Sequence, residues 1–275
     1  MNVENNNNLE MPKYGGVYMK IHAFYFSPTH TTEQITTQIG ARLKNALGYS
    51  LENFPLAKAP FRDTIRYIPS GDILLLGLPV YSGRIPSLLE NTLQNIKGNG
   101  NPAIIIAVYG NRNFDDALLE MKDILVGNSF NVIAAAAFIG EHSFSRKIAT
   151  NRPDSQDIAT ISAFAAKCTQ KILAKQTDDI YIIGNRPYKE RPPSLQIAPE
   201  TTDFCNNCML CFNACPTQAI QANPRLVLKE RCIRCFACIK SCPLSAKHFN
   251  NENISKAINW LENNFMERKE PEFFF

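Results

Sequence analysis

Residues 205–216 read CNNCMLCFNACP, and residues 232–243 read CIRCFACIKSCP. Both stretches have the pattern C-x2-C-x2-C-x3-C-P, and the second begins 27 residues after the first. They hold eight of the nine cysteines in this 275-residue chain. Such spacing is typical of the thiolate ligands of four-iron clusters, in which each iron takes one cysteine. The pattern therefore predicts two [4Fe-4S] clusters and single-electron chemistry.

The fourth cysteine of each run is expected to bind the cluster of the other run, so that the two runs interlock. Cluster one is then assigned to Cys205, Cys208, Cys211 and Cys242. Cluster two is assigned to Cys232, Cys235, Cys238 and Cys215. Over about 45 residues, these runs resemble the bacterial two-cluster ferredoxins.

Two other uses of cysteine were weighed against iron and sulfur. Structural zinc would explain the paired cysteines, but neither the third cysteine at the same spacing nor the x3-C-P ending. Disulfides need an oxidising compartment, and no basic-then-apolar signal segment opens the sequence. The ninth cysteine, Cys168, lies in a helical pattern and is expected to be a small core residue.

Ahead of the cysteines, strand-like and helix-like segments alternate. Strands are predicted at 17–25, 50–54, 72–80, 103–109 and 131–139, and helices at 32–46, 86–96, 114–126 and 154–175. Runs such as ILLLGLPV, without polar alternation, indicate strands buried on both faces. The predicted fold is therefore α/β, with a doubly wound five-stranded parallel sheet followed by a small α+β two-cluster domain.

In such sheets, ligands bind beyond the carboxyl ends of the strands, where the winding reverses. The loop after the first strand offers hydroxyl groups and opens a helix, which suits a phosphate, although a plain helix cap is the alternative. Its candidates are Ser27, Thr29, His30, Thr31 and Thr32. The next loop contributes Pro79, Val80, Tyr81, Ser82, Gly83 and Arg84. The third contributes Tyr109, Gly110, Asn111 and Arg112, with Asp115 as a weaker candidate.

The sequence SPTHTT after the first strand resembles the phosphate loop of flavodoxins, [ST]-x-T-G-x-T. PVYSG and YGNR resemble the two loops that sandwich the flavin ring in that family. The whole chain thus resembles the flavodoxin–ferredoxin fusion proteins of anaerobes. The resemblance implies FMN as the second cofactor, the strand order 2-1-3-4-5, and the loop residues above as its contacts.

His30 departs from the flavodoxin pattern, which usually has glycine there. If the position requires a positive φ, histidine bears a conformational cost, although it is among the more tolerant residue types. An imidazolium could still strengthen phosphate binding, which we favour, or the side chain could weaken the fit. After the last strand, Glu141, His142 and Ser143 are either ordinary loop residues or neighbours of a cofactor.

Between residues 203 and 248 the sequence has six Lys or Arg and two acidic residues, whereas free ferredoxins are typically acidic. We expect Arg231, Arg234 and Lys240 to raise the cluster potentials, because net charge is one determinant of potential. The whole chain has a formal net charge of +4, which does not argue for nucleic-acid binding.

The remaining segments complete the expected domain organisation. It comprises a disordered tail at 1–16, an FMN domain at 17–178, a Pro-rich semi-rigid linker at 179–202, the cluster domain at 203–249, and a helix and tail at 250–275. No stretch is apolar enough to span a membrane. We expect a cytoplasmic protein, with the role of the terminal FFF left open between an exposed and a packed tail.

The combination predicts an electron carrier that relays single electrons between the clusters and FMN, with other redox proteins as donors or acceptors. The alternative is an FMN-dependent reductase of a small molecule, such as a quinone or nitro compound, fed by the clusters. We favour the carrier, which has no catalytic residue of its own. Nicotinamide is not expected, because no G-x-G-x-x-G follows a strand.

Overall fold

Six strands form the main sheet of the protein. The computed structural model describes residues 13–14, 17–62, 64–193 and 195–275. The strands are β1 (Lys20–Tyr25), β2 (Ser50–Pro55), β3 (Ile73–Pro79), β4 (Asn101–Tyr109), β5 (Phe130–Ile139) and β6 (Glu272–Phe274). They lie in the order β2-β1-β3-β4-β5-β6, and the first five are parallel. The predicted order 2-1-3-4-5 is confirmed, and it makes this half of the chain flavodoxin-like.

Helices cover both faces of this sheet. They are α1 (Thr31–Leu47), α2 (Glu90–Gln94), α3 (Ala117–Gly127) and α4 (Ser155–Leu173). Alternate residues of β3 serve the two faces: Leu75 packs with the α1 and α4 side, and Leu76 packs with the α2 and α3 side. The expected helix at 86–96 is shorter, since a 3₁₀ turn at Ser87–Leu89 precedes α2. Cys168 lies on α4 and is fully buried in the core on the α1 and α4 side of the sheet, as expected.

The cysteine-rich half is small and consists of an internal structural repeat. Its helices are α5 (Leu210–Asn213) and α6 (Ala237–Lys240), which begin 27 residues apart. Strands Glu200–Thr201 and Lys247–His248 pair antiparallel at its ends. Between the runs the chain turns back on itself, with an antiparallel bridge between Ile220 and Val227. Two further short pairs, Lys13–Tyr14 with Val17–Tyr18 and Arg66–Tyr67 with Ile96–Lys97, lie outside the main sheet.

The C-terminal segment returns to the first half of the chain. After α7 (Glu252–Asn264), the chain reaches β6, which pairs antiparallel with β5 as a sixth strand that was not predicted. The ring of Phe273 packs on Phe138 and Phe164, and that of Phe274 packs on Phe114. Phe273 and Phe274 are therefore a packed edge of the sheet, whereas Phe275 lies beyond β6 and is 40% exposed.

Residues 179–193, expected to be part of a linker, run along α3. Ile180 and Ile182 are buried in the core beside that helix, and Lys122 Nζ donates to the carbonyl of Ile180 at 2.5 Å. The predicted disordered tail at 1–16 lies outside the described residues, apart from Lys13–Tyr14. Within the described ranges, no helix combines the length and apolar character needed to cross a bilayer.

Candidate functional site

A cavity of about 650 Å³ lies at the carboxyl edge of the parallel strands. The loops after β1, β3, β4 and β5 all contribute to its wall, as expected for a site at the point where the winding reverses. Of the candidates predicted from sequence, the lining includes Thr29, Thr31, Thr32, Pro79, Val80, Tyr81, Ser82, Gly83, Tyr109, Gly110 and Arg112. The structure thus brings eleven of the sixteen candidate cofactor contacts together.

The loop after β1 delivers the start of α1 to the cavity. Thr31 and Thr32 line the wall where α1 begins, so backbone N–H groups without helical partners and the positive end of the helix dipole are available there. The Ser27 hydroxyl is already engaged, since it accepts a bond from the N–H of Glu33 at 2.9 Å. This arrangement suits a phosphate held by backbone and threonine groups, without a lysine.

His30 occupies the left-handed region, with φ 67°, at the N-cap of α1. The position thus needs the positive φ that glycine adopts most easily, which explains why glycine is usual in the resembling family. The imidazole is largely exposed and does not line the cavity. Its Nδ1 lies 2.9 Å from Oε2 of Glu33 on the same helix turn. The structure therefore directs His30 to a carboxylate rather than to the cavity.

The loop after β3 presents a tight turn to the cavity. Tyr81 and Arg84 exchange two backbone hydrogen bonds, and Ser82 and Gly83 between them both have positive φ. A Cβ on Gly83 would approach Oδ2 of Asp115 to 2.2 Å, so the turn packs closely against the next loop. Burial raises the pKa of the Tyr81 phenol well above its ordinary value. A neutral aromatic side chain therefore stands on this wall.

Arg84 points away from the cavity and anchors the turn from behind. Its Nε and NH2 groups donate to the two oxygens of Glu120 on α3, each at 2.7 Å. Glu120 is nearly fully buried, and it also accepts from the N–H of Ile85 at 3.0 Å and from Arg191 at 3.1 Å. Sequence reasoning assigned Arg84 to the ligand and overlooked Glu120, which no local motif marks.

Some residues of the loop after β4 line the cavity, and others pack behind its wall. Tyr109 lines the cavity, and burial raises its pKa to about 12. Asn111 is buried outside the lining and donates to the carbonyls of Phe265 and Glu267. Arg112 lines the wall and pairs with Asp115, which also pairs with Lys189 at 2.9 Å. Asp115 thus supports Arg112 rather than facing the cavity.

The loop after β5 adds a neutral histidine to the wall. Nδ1 of His142 accepts from the N–H of Phe144 at 3.0 Å, so the ring keeps a proton on Nε2. Burial, with a further contribution from Lys240, lowers the pKa of His142 to about 4. A Cβ on Gly110 would approach this ring to 2.2 Å, which shows how closely the two loops meet. Of the two readings of residues 141–143, the geometry favours cavity neighbours.

Residues from outside the parallel-strand loops close the cavity. One group comes from the expected linker, which is held by Asp116 through the N–H groups of Asn185 and Lys189. The others come from α7 and from the cysteine-rich half. The additional lining residues are Lys189, Glu190, Arg191, Pro192, Pro193, Ile233, Arg234, Trp260 and Leu261. Sequence reasoning missed this cover, because it depends on how distant segments fold back.

The eight clustered cysteines form two separate quartets. Cys205, Cys208, Cys211 and Cys242 line one small cavity, and Cys215, Cys232, Cys235 and Cys238 line another. These are the interlocked sets assigned from the spacing. Within the described ranges, no three His, Cys, Asp or Glu residues converge on a point where one metal ion could bind. Four cysteines around a cavity suit a cubane, which takes one thiolate on each of its four irons.

The backbone around the quartets repeats with the same 27-residue offset. Asn207 and Arg234, Met209 and Phe236, and Gln218 and Ser245 form three matched pairs with positive φ. In each half one N–H group donates to a cysteine sulfur: Ala219 to Cys215 at 3.2 Å, and Ala246 to Cys242 at 3.3 Å. Such turns direct backbone N–H groups toward bound anions, and they suit the negative charge of a thiolate-bound cluster.

The second quartet abuts the large cavity. Ile233 and Arg234, which lie between Cys232 and Cys235, line both cavities. The rings of Phe144 and Phe236 stack at 4.2 Å, and Lys240 donates to Glu141 at 2.6 Å and to the carbonyl of His142 at 2.8 Å. The first quartet is more open, since Cys208 is exposed and so is Phe204, the residue before Cys205.

One family model matches part of the cysteine-rich half, and solved structures match a little over half of the chain. Residues 199–243 match the family described as 4Fe-4S dicluster domain. No curated protein matches the chain. Among solved structures, a flavodoxin from the domain Archaea has 10% identity and TM-score 0.41, over 56% of this chain and 99% of that one. A Streptococcus pneumonia TIGR4 flavodoxin has 15% identity and TM-score 0.38, over 57% and 99%. An azoreductase from Bacillus anthracis has 12% identity and TM-score 0.39, over 56% and 99%.

Proposed function

We propose that this chain is an electron-transfer protein of the flavodoxin–ferredoxin fusion type, in which two [4Fe-4S] clusters and one FMN exchange single electrons. The observation that carries the proposal is the wall shared by the large cavity and the second cysteine quartet, at Ile233 and Arg234. A flavin in the large cavity would lie directly beside cluster two. When bound, each cluster can carry one electron and the flavin one or two.

The residues of the large cavity have the chemistry that FMN requires. Thr29, Thr31 and Thr32 at the start of α1 would hold the phosphate. Tyr81 and Tyr109 would contact the ring from the neighbouring loops, which meet at the switch point where FMN binds in this fold. Arg112, held by Asp115, supplies a guanidinium group on the same wall.

The cover of the cavity supports the carrier over the reductase. Arg191, Pro192 and Trp260 stand over the site together with the cysteine-rich half, and they would exclude water from the flavin. A reductase needs room for a substrate beside the ring, whereas a carrier needs a short path to the clusters. Ile233 and Arg234 of the cysteine-rich half, on the wall of the cavity, supply such a path.

The exposure of the quartets suggests an order of transfer. Cys235 is buried next to the large cavity, and Cys208 of the other quartet is exposed. An external redox protein would therefore exchange electrons with cluster one, and cluster two would link cluster one to the flavin. In this scheme the functional domains are 17–178 and 203–249, with 179–202 and 250–275 serving as the straps that hold them together.

Rapid mixing of the loaded protein with a one-electron reductant, without oxygen, tests this proposal. The flavin absorbance is followed at several protein concentrations. Transfer from cluster to flavin within one molecule gives a first-order rate that does not change with protein concentration. Cys235→Ala should abolish this phase, and Cys168→Ala should keep it, because Cys168 is buried in the core of the other half. A rate proportional to protein concentration would refute the internal route.

A further inference from the structure

One lysine of the cysteine-rich half is buried without a carboxylate partner. Lys247 is 3% exposed, and its Nζ donates to the carbonyl of Pro224 at 2.5 Å. Across the described part of the chain, no Asp or Glu forms an ion pair with it. An ammonium group in such a place is costly unless another negative charge is near. Lys247 lines the cavity of the first quartet, where a bound cluster would supply that charge.

The internal repeat shows that this lysine is a departure from symmetry. The residue 27 positions earlier is Ile220, which is 2% exposed and lines the cavity of the second quartet. The preceding alanines, Ala219 and Ala246, make the same N–H to sulfur bond in the two halves. Equivalent backbone sites thus carry an apolar side chain that lines the cavity of the second quartet and a cation that lines the cavity of the first. The charge of Lys247 acts on Cys211 of the first quartet and also on Cys232 and Cys238 of the second.

The other cations of this half are less suited to stabilise a reduced cluster. Arg231 is exposed to solvent. Lys240 is neutralised by Glu141 at 2.6 Å. Arg234 extends to the carbonyl of Leu195 and lines the large cavity. Lys247 alone in this set is both buried and unpaired by a carboxylate.

We propose that Lys247 makes the two clusters inequivalent, raising the reduction potential of cluster one above that of cluster two. This inference rests on the two-cluster proposal above. Addition of one electron makes a cluster more negative, and a nearby buried cation stabilises that reduced form. Electrons shared between the clusters therefore reside on cluster one, the more exposed cluster, from which an external partner can take or replace them.

A redox titration of the full, cluster-loaded protein, followed by electron paramagnetic resonance without oxygen, tests the inference. Lys247→Gln keeps a donor for the Pro224 carbonyl and removes the charge. Lys247→Met instead reproduces the apolar character of Ile220. Ile220→Met is the matched control, since it changes shape at the equivalent site without changing charge. Cys208→Ser alters one ligand of cluster one and so identifies which one-electron step belongs to it.

We expect both Lys247 variants to lower the reduction potential of cluster one by at least about 59 mV, which is a tenfold change in the equilibrium constant of its one-electron reduction. The cluster two step should move less, and Ile220→Met should move neither step by that amount. An unchanged cluster one step, or an equal shift of both steps, would overturn the inference. So would failure of both Lys247 variants to bind iron while Ile220→Met binds it, since the lysine would then be a folding requirement. Wild-type protein without iron and sulfide would instead refute the proposed function.

Discussion

The buried carboxylate behind the tyrosine turn provides a sharp test of how the large cavity is held. In Glu120→Gln the buried charge is lost but the size of the side chain is kept. The amide replaces one carboxylate oxygen by an NH2 group, so one of the two Arg84 donors would face another donor in this arrangement. The side chains of Glu120 and Arg84 are only 5% and 12% exposed, so the guanidinium group would remain buried without its counter-ion.

Removing one partner of a buried ion pair costs 3–5 kcal/mol, and the slight exposure of Arg84 places the expected loss at about 3 kcal/mol. Because a domain is stable by only about 5–15 kcal/mol, such a loss is easily measured. The assay is urea unfolding without oxygen, followed by far-ultraviolet circular dichroism. FMN binding should weaken as well, since the turn at Tyr81–Arg84 loses its support.

Glu90→Gln is the matched control for the loss of charge. Glu90 pairs with Arg191, which also contacts Glu120, but the Glu90 side chain is 49% exposed. Exposed pairs contribute about 0–1 kcal/mol, so the control should unfold close to wild type. If Glu120→Gln were no more destabilising than Glu90→Gln, the proposed anchoring of the cavity by Glu120 would be wrong.

Three further predictions concern the edges of the site. Imidazole in the unfolded chain binds a proton below about pH 6.5, whereas buried His142 does so only near 4, so the folded state loses stability as the pH is lowered between these values. In urea titrations, wild type should lose about 1.3 kcal/mol more than His142→Gln when the pH is lowered from about 7.5 to about 5.5. An equal loss in the two proteins would exclude the buried neutral ring. Phe273→Ala should lower the free energy of unfolding by about 2–3 kcal/mol in thermal unfolding, because the ring packs on two core phenylalanines. Its control, Phe204→Ala, is at a 79% exposed position and should change stability by no more than about 0.5 kcal/mol. Similar losses in the two variants would mean that β6 is not docked. His30→Gly should raise the melting temperature by the equivalent of about 1 kcal/mol, because glycine removes the strain at φ 67° and the lost pair with Glu33 is exposed; a lower melting temperature would show that the pair outweighs the strain.

Much of the fold could be predicted because its signals are local. The run ILLLGLPV is short and has no polar alternation, which indicates a strand covered on both faces, and β3 is such a strand. The cysteine spacing likewise assigns each cysteine to one of two sets, and these two sets line separate cavities in the structure. The loops after β1, β3 and β4 were found because parallel strands bring their carboxyl ends to one edge.

The rest depends on contacts between distant segments, which no local pattern contains. Glu120 looks like an ordinary helix residue until Arg84 and Arg191 are placed beside it. Residues 189–193 were expected to be part of a plain linker, yet they cover the cavity because Asp116 and Glu120 hold them on α3. The terminal phenylalanines have no strand signal of their own, and they form β6 because β5 has a free edge.

Lys247 is an intermediate case, because one comparison within the sequence could have found it. Alignment of the two cysteine runs places Lys247 opposite Ile220, a charged residue opposite an apolar one. The prediction from the summed charge of this half named Arg231, Arg234 and Lys240 instead. Lys247 differs from these cations in its burial, which depends on the folded structure and is not contained in the local sequence.

The proposed function requires two cubanes and one flavin in a single chain. It is tested most directly by chemical analysis of protein purified without oxygen, together with its absorbance spectrum. We expect about eight iron atoms, about eight acid-labile sulfides and about one FMN per chain. Metal bound without labile sulfide, or iron and sulfide with no flavin retained even after FMN is added, would contradict the account.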